Sequence, residues 1–210
     1  MVDPTVLGGT RRSLHAVAEW ILAPARQAHD GHIGLRPTTG GFGAPEVDCR
    51  VDGLTLVVRD ERRPLTTLAA AADLVGVEPA RATGVYETVT PWSGDEPLAL
   101  DAAAAEVLAG WFGLGAQALD ALRCARQDAS DLTLWPEHFD VALTVADRVN
   151  LGASPGDDEH ALPYLYVGPW ERQDGPFWNE PFGASLRFDD VDSPATALEF
   201  FRTGLVTLGV

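Results

Sequence analysis

Residues 135–160, WPEHFDVALTVADRVNLGASPGDDEH, hold the side chains best suited to chemistry in this chain. They include His138 and His160, carboxylates at Asp140, Asp157 and Glu159, the Asn150 amide and the Ser154 hydroxyl. Phe139, Val141, Leu143 and Val145 alternate with His138, Asp140, Ala142 and Thr144, the period of a half-buried strand. A three-residue reversal at Ala146–Arg148 pairs Val145 with Val149 and Leu143 with Leu151. Asn150 then stands opposite Thr144, and Ser154 opposite Asp140. This register gathers His138, Asp140, Asn150 and Ser154 on one face; an even-length turn scatters them.

Three chemistries compete for that face. Gly152-Ala153-Ser154-Pro155-Gly156 has the spacing of a nucleophile elbow, but Pro155 has no backbone N–H to offer an oxyanion. Ser154 is instead expected to cap its own loop. A divalent metal is the second: His138 and Asp140, with His160 reaching across the loop, make a nitrogen–oxygen set suited to zinc or non-haem iron. His29 and His32 form a further i, i+3 pair. The third is a small-molecule pocket. Tyr164, Tyr166, Trp170, Phe177, Trp178 and Phe182 follow the polar strands, and aromatic walls around converging polar groups make ligand sites. Arg172 and Arg187 are available to clamp a carboxylate.

The leading expectation is therefore a small polar ligand bound by His138, Asp140, Asn150, Ser154, Tyr164, Tyr166 and Trp178. His138 would be the hydrogen-bonding or acid–base group and Asp140 its orienting partner. One alternative is a metal-dependent enzyme using His138, Asp140 and His160. Another is a non-catalytic oligomerisation module whose aromatics meet a second chain. No organic cofactor is implied: GGFGAP lacks the dinucleotide-binding spacing and leads into a strand.

LWPEHFD, NLGASPGD, PYLYV, a Trp before FGASL, and FFRTG in the last helix follow one another in that order. Together they resemble a family of uncharacterised bacterial proteins of unknown function. Its pattern is W-P-x-H-F-D, then N-x-G-x-S-x-G-D, then P-Y-x-Y. The likeness covers the last eighty or so residues. It implies that His138, Asp140, Asn150, Ser154 and Asp157 belong to one constellation, and it brings no activity.

Composition narrows the partners. Of 210 residues none is Lys, and the formal net charge is −16. Such a surface repels nucleic acid and anionic lipid. Without Lys, Schiff-base chemistry and the P-loop phosphate grip are excluded. Cys49 and Cys124 read as free thiols of a reducing cytoplasm. No uncharged apolar run has the length of a membrane span, and no signal-peptide pattern opens the chain.

The elements that must position the site point to an α+β fold, largely antiparallel sheet with flanking helices. Residues 1–210 read as one compact domain, with pseudo-symmetric helix–strands–helix halves at 1–90 and 98–210. A first helix runs from about Arg11 and should stop or kink at Pro24. HIGLRP reads as a strand and TTGGFGAP as a loop. EVDCRVDGLTLVVR reads as a hairpin turning on Asp52-Gly53, with Val51 opposite Leu54, Cys49 opposite Leu56 and Glu46 opposite Arg59. A helix over Leu65–Val75 ends at Gly76, and a segment over Leu100–Gln127 is divided at Gly113 and Gly115. Strands follow near 163–167 and 184–188. Ser193 and Pro194 open the last helix.

Overall fold

The computed structural model describes residues 2–78, 81 and 83–210; Pro79, Ala80 and Ala82 of the long connection lie outside them. The fold is α+β, with two antiparallel sheets, each a simple meander. The chain divides into two compact units. One comprises residues 1–110 with 134–139, the other 111–133 with 140–210. The boundary thus falls within a helix, not near residues 90–98, and the WPEHF turn returns to the first unit.

In the first unit, α1 (Pro4–Val17), a π-helical turn (Ala18–Leu22) and α2 (Ala23–Asp30) form one continuous helical stretch. It starts earlier than Arg11 because Asp3 caps it, accepting from the Thr5 amide at 2.8 Å, with Pro4 in the first turn. Pro24 does not end it; the helix is distorted into the π-helical turn directly before it. The wide turn just before Pro24 restarts the α-helix there, so proline occupies an initial position where its missing N–H costs nothing. Leu7, Leu14, Val17, Ile21 and Leu22 are the buried stripe.

The first sheet runs β1 (Arg36–Thr38), β2 (Gly41–Ala44), β3 (Cys49–Asp52), β4 (Thr55–Val58) and β5 (Glu61–Pro64) in sequential order. GFGA is a strand, not a loop. Its glycines permit close crossing: a Cβ on Gly43 would lie 2.5 Å from the Arg50 Cβ. The β3–β4 hairpin turns one residue later than expected. Asp52 pairs with Thr55, Val51 with Leu56 and Cys49 with Val58. Gly53 alone, at φ 59°, takes the left-handed position, the pattern of a turn with glycine first. The shift is two in register, so Cys49, Val51 and Leu56 stay together on the buried face. Glu46 does not meet Arg59; it pairs with Arg26 at 2.5 Å. α3 (Leu68–Val75) is capped by Thr67 and ends at Gly76, φ 80°.

The described residues of the connection after α3 lack regular structure, and side chains of the first helix satisfy their backbone. Gln27 Nε2 donates to the Thr83 carbonyl at 2.9 Å and Trp20 Nε1 to the Thr90 carbonyl at 3.0 Å. Ser13 Oγ accepts from the Ala99 amide at 2.9 Å, and Thr10 Oγ1 from the Asp101 amide at 3.0 Å. Each bond replaces one that a ladder would otherwise make.

α4 (Ala102–Cys124) is unbroken at Gly113 and Gly115. Gly115 serves packing: its Cβ would stand 2.4 Å from that of Ala153. This helix is long and apolar enough to cross a membrane by length and composition, with 44% of the apolar stretch buried. In the second unit the meander is β7 (Asp140–Val145), β8 (Val149–Ser154), β9 (Tyr164–Pro169) and β10 (Ala184–Arg187). β6 (Thr133–Trp135) is the fifth strand, where the chain passes from one unit to the other. Val141, Leu143, Leu151, Ala153, Leu165 and Val167 form the buried face. α5 (Pro194–Leu208) packs there through Gly204, whose Cβ would lie 2.8 Å from Val167. Ser193 caps α5, as the sequence predicts.

Candidate functional site

The reversal at Ala146–Arg148 has three residues, with Ala146 and Asp147 left-handed at φ 51° and 50°. Val145 pairs with Val149, Leu143 with Leu151 and Thr144 with Asn150. Continued one step beyond the Val141–Ala153 pair, this register sets Asp140 against Ser154. Across the next strands Ser154 pairs with Tyr164, Gly152 with Tyr166, and Tyr166 with Ser185. One face of the sheet therefore carries Asp140, Thr144, Asn150, Ser154, Tyr164, Tyr166, Ser185 and Arg187.

Tyr166 lies flat across β8. A Cβ on Gly152 would meet its ring at 2.4 Å, so glycine opens the path by which the phenol reaches Asp140 Oδ2, 2.5 Å away. Burial, then the Asp140 charge, push the phenol pKa well above its ordinary value, so Tyr166 remains a donor. Beside it, Tyr164 donates to Asp157 Oδ2 at 2.7 Å. Burial works against the Asp157 carboxylate. The bonds from Tyr164 and from the His160 and Glu159 amides outweigh it and hold the pKa below the usual range. His160 stands between two carboxylates, 3.1 Å from Glu180 Oε1 and 3.5 Å from Asp157 Oδ1. Ser185 Oγ also donates to Glu180 Oε1, at 2.8 Å. Phe182, 40% exposed, closes over Tyr164 and Tyr166 with ring centroids at 6.2 and 6.5 Å.

Of the expected residues, Asp140, Ser154, Tyr164 and Tyr166 come together. Asn150 shares their face but pairs with Thr144 at the far end of β8, four residues and about 13 Å from Ser154. Ser154 caps its own loop, accepting from the Gly156 amide at 3.2 Å. Trp178 is not on this face. It stacks edge-on against Phe177, which packs on Phe200 of α5. His138 is not on the strand: Phe139 turns left-handed at φ 54°, its amide bonds the Trp135 carbonyl, and the strand begins only at Asp140. His138 lies exposed in that turn. The metal set therefore fails to form. Among the described residues, no three His, Cys, Asp or Glu side chains are grouped to hold an ion.

A second polar cluster occupies the first unit. Glu19, fully buried in the π-helical turn, accepts from the amides of Val89 at 3.0 Å and Thr90 at 2.8 Å, and from the Thr90 hydroxyl. Burial raises its pKa against those bonds, and the Glu137 charge adds to the rise. His15 lies 3.9 Å from Glu19 and its Nε2 is 2.7 Å from the Pro136 carbonyl. A carbonyl only accepts, so Nε2 carries the proton. Burial lowers the His15 pKa to about 4, with Arg11 and His138 pushing the same way. His15 is thus neutral at pH 7 and does not form an ion pair with Glu19. Its ring stacks on Phe139, centroids 5.2 Å apart.

The sequence reading missed this cluster. Its one local sign is His15 and Glu19 spaced i, i+4 within the apolar stripe of the first helix, a place for charge only if it is paired. The partners, 70 to 121 residues away, carry no sign of their own.

No family model, curated protein or solved structure matches the chain. The motif likeness of residues 134–204 stands on those motifs alone.

Proposed function

We propose that the chain binds a small polar ligand on the polar face of β7–β10, against Tyr164, Tyr166 and Phe182. Asp140, Ser154, His160 and Glu180 supply the polar contacts. The observation that carries this reading is the bare Gly152 under Tyr166. A sheet face meant only for solvent has no need of a glycine that lets a phenol cross a strand to a buried carboxylate. Tyr166 and Asp140 would form the fixed floor, while the half-exposed Phe182 would shield the bound ligand. The motif resemblance is consistent with this reading for Asp140, Ser154 and Asp157. Cys49 and Cys124 are both free, which suits a reducing, cytoplasmic setting.

A thermal-shift screen of small polar metabolites tests the reading. At least one should raise the melting temperature of the native chain, and Tyr166→Phe should abolish most of that shift. A shift kept in full by Tyr166→Phe would remove the site. The competing reading is self-association through Trp170, 67% exposed, and Phe182. Sizing across a concentration series tests it, and a constant monomer mass sinks it.

A further inference from the structure

We propose that Tyr86 and Glu137, backed by His15, Glu19 and Thr90, form a separate binding site in the first unit. It would take a small uncharged molecule presenting an N–H donor beside a carbonyl acceptor, the pattern of a carboxamide.

Glu19 has its oxygens filled by Val89 and Thr90, and His15 Nε2 is filled by Pro136. Tyr86 Oη and Glu137 Oε2 are different. Both are shielded from solvent and have no protein hydrogen-bond partner among the described residues. Val89 and Thr90 bond Glu19, and the Pro136 carbonyl bonds His15, so the segments carrying Tyr86 and Glu137 meet the same stretch of the first helix. Leaving such an atom unpaired costs stability. Folded chains keep few of them, and each calls for an explanation.

The unmade bonds define the ligand. Burial raises the Tyr86 pKa, and the charges of Glu19 and Glu137 add to it, so the hydroxyl stays protonated and donates. It asks for an acceptor. The Glu137 carboxylate accepts and asks for a donor. An anion would be repelled by Glu137, while Arg11, buried next to His15, disfavours a cation. The segment carrying Tyr86 also suits entry. Val85 and Val89 are 61% and 68% exposed, and the segment is tied down by individual side-chain bonds in place of a ladder. Glu19 sits where the helix widens into a π-turn, a distortion that recurs at functional sites.

The test uses acetamide as probe on the full chain, followed by saturation-transfer NMR, with acetate and methylammonium as charged isosteres. Acetamide should bind saturably, and acetate and methylammonium about tenfold more weakly or not at all. Tyr86→Phe should weaken acetamide about tenfold while raising the melting temperature, because it deletes an orphaned hydroxyl. Glu137→Leu should weaken binding to a similar degree. Absence of saturable acetamide binding, undiminished binding to Tyr86→Phe, or preference for either charged isostere overturns the proposal. So does a fall in melting temperature on Tyr86→Phe, which would show that the hydroxyl is already satisfied.

Discussion

The two polar clusters solve opposite problems. In the first unit, Glu19 bonds backbone amides 70 and 71 positions along the chain. In the second, Asp140, Asp157 and Glu180 bond the side chains of Tyr166, Tyr164 and His160, and Asp157 reaches backbone only within its own loop, at the Glu159 and His160 amides. The difference follows from who pairs the backbone. A meander closes its own N–H and C=O groups, so the side chains above it are left to pair with one another. The described residues of the connection after α3 have no ladder, so buried polar side chains must serve their main chain. A buried carboxylate next to irregular backbone is therefore structural first, whereas one above a closed sheet is available for recognition.

Breaking the first cluster should cost most. Glu19→Ala strands two amides and a hydroxyl and should destabilise the chain by about 3–4 kcal/mol in chemical denaturation. A loss under about 1 kcal/mol would show that the segment does not depend on it. Next comes pH. The folded His15 pKa, about 4, lies below the unfolded 6.5. Its contribution is therefore complete above pH 6.5 and lost as pH falls toward 4. With the side chain only 13% exposed, the loss approaches about 3 kcal/mol. His15→Gln should flatten that limb of the stability–pH curve; an unchanged limb would assign it to other groups. In the second unit, Gly152→Ala pushes a methyl into the Tyr166 ring and should cost about 2 kcal/mol. It should also release the phenol from Asp140, seen as a fall in its titration midpoint by ultraviolet absorbance. An unmoved midpoint would mean that the strand crossing is not what holds the phenol. The smallest effect lies outside both clusters: Ser193→Ala should cost about 1 kcal/mol through the lost α5 cap, measured as a shift in denaturation midpoint.

Much of the fold was legible where signals are local. Ser193-Pro194 marked α5, Gly76 ended α3, and the Val145–Val149 register followed from alternation plus an odd turn. The failures also have particular causes. Alternation runs through His138 and Phe139 without a break, yet Phe139 adopts a left-handed conformation rare for its type, and nothing in its neighbours announces that. GFGA and Gly115 looked like breakers because glycine is read as flexibility. Here each is a place where another chain segment comes too close for a Cβ. Trp178 is close to the tyrosines in sequence, but loop 170–183 sets it edge-on against Phe177, which packs on Phe200 of α5.

By itself, then, the sequence determined the class of the fold, the register of β7 with β8, and the face that Asp140 and Ser154 share. Those rest on periods of two and 3.6 residues and on caps, which are properties of neighbours along the chain. Tertiary structure alone decided that Tyr166 spans Gly152 to Asp140, that Glu19 holds Val89 and Thr90, and that His15 stays neutral. Burial and cross-chain hydrogen bonds set those outcomes, and both depend on which distant segments meet.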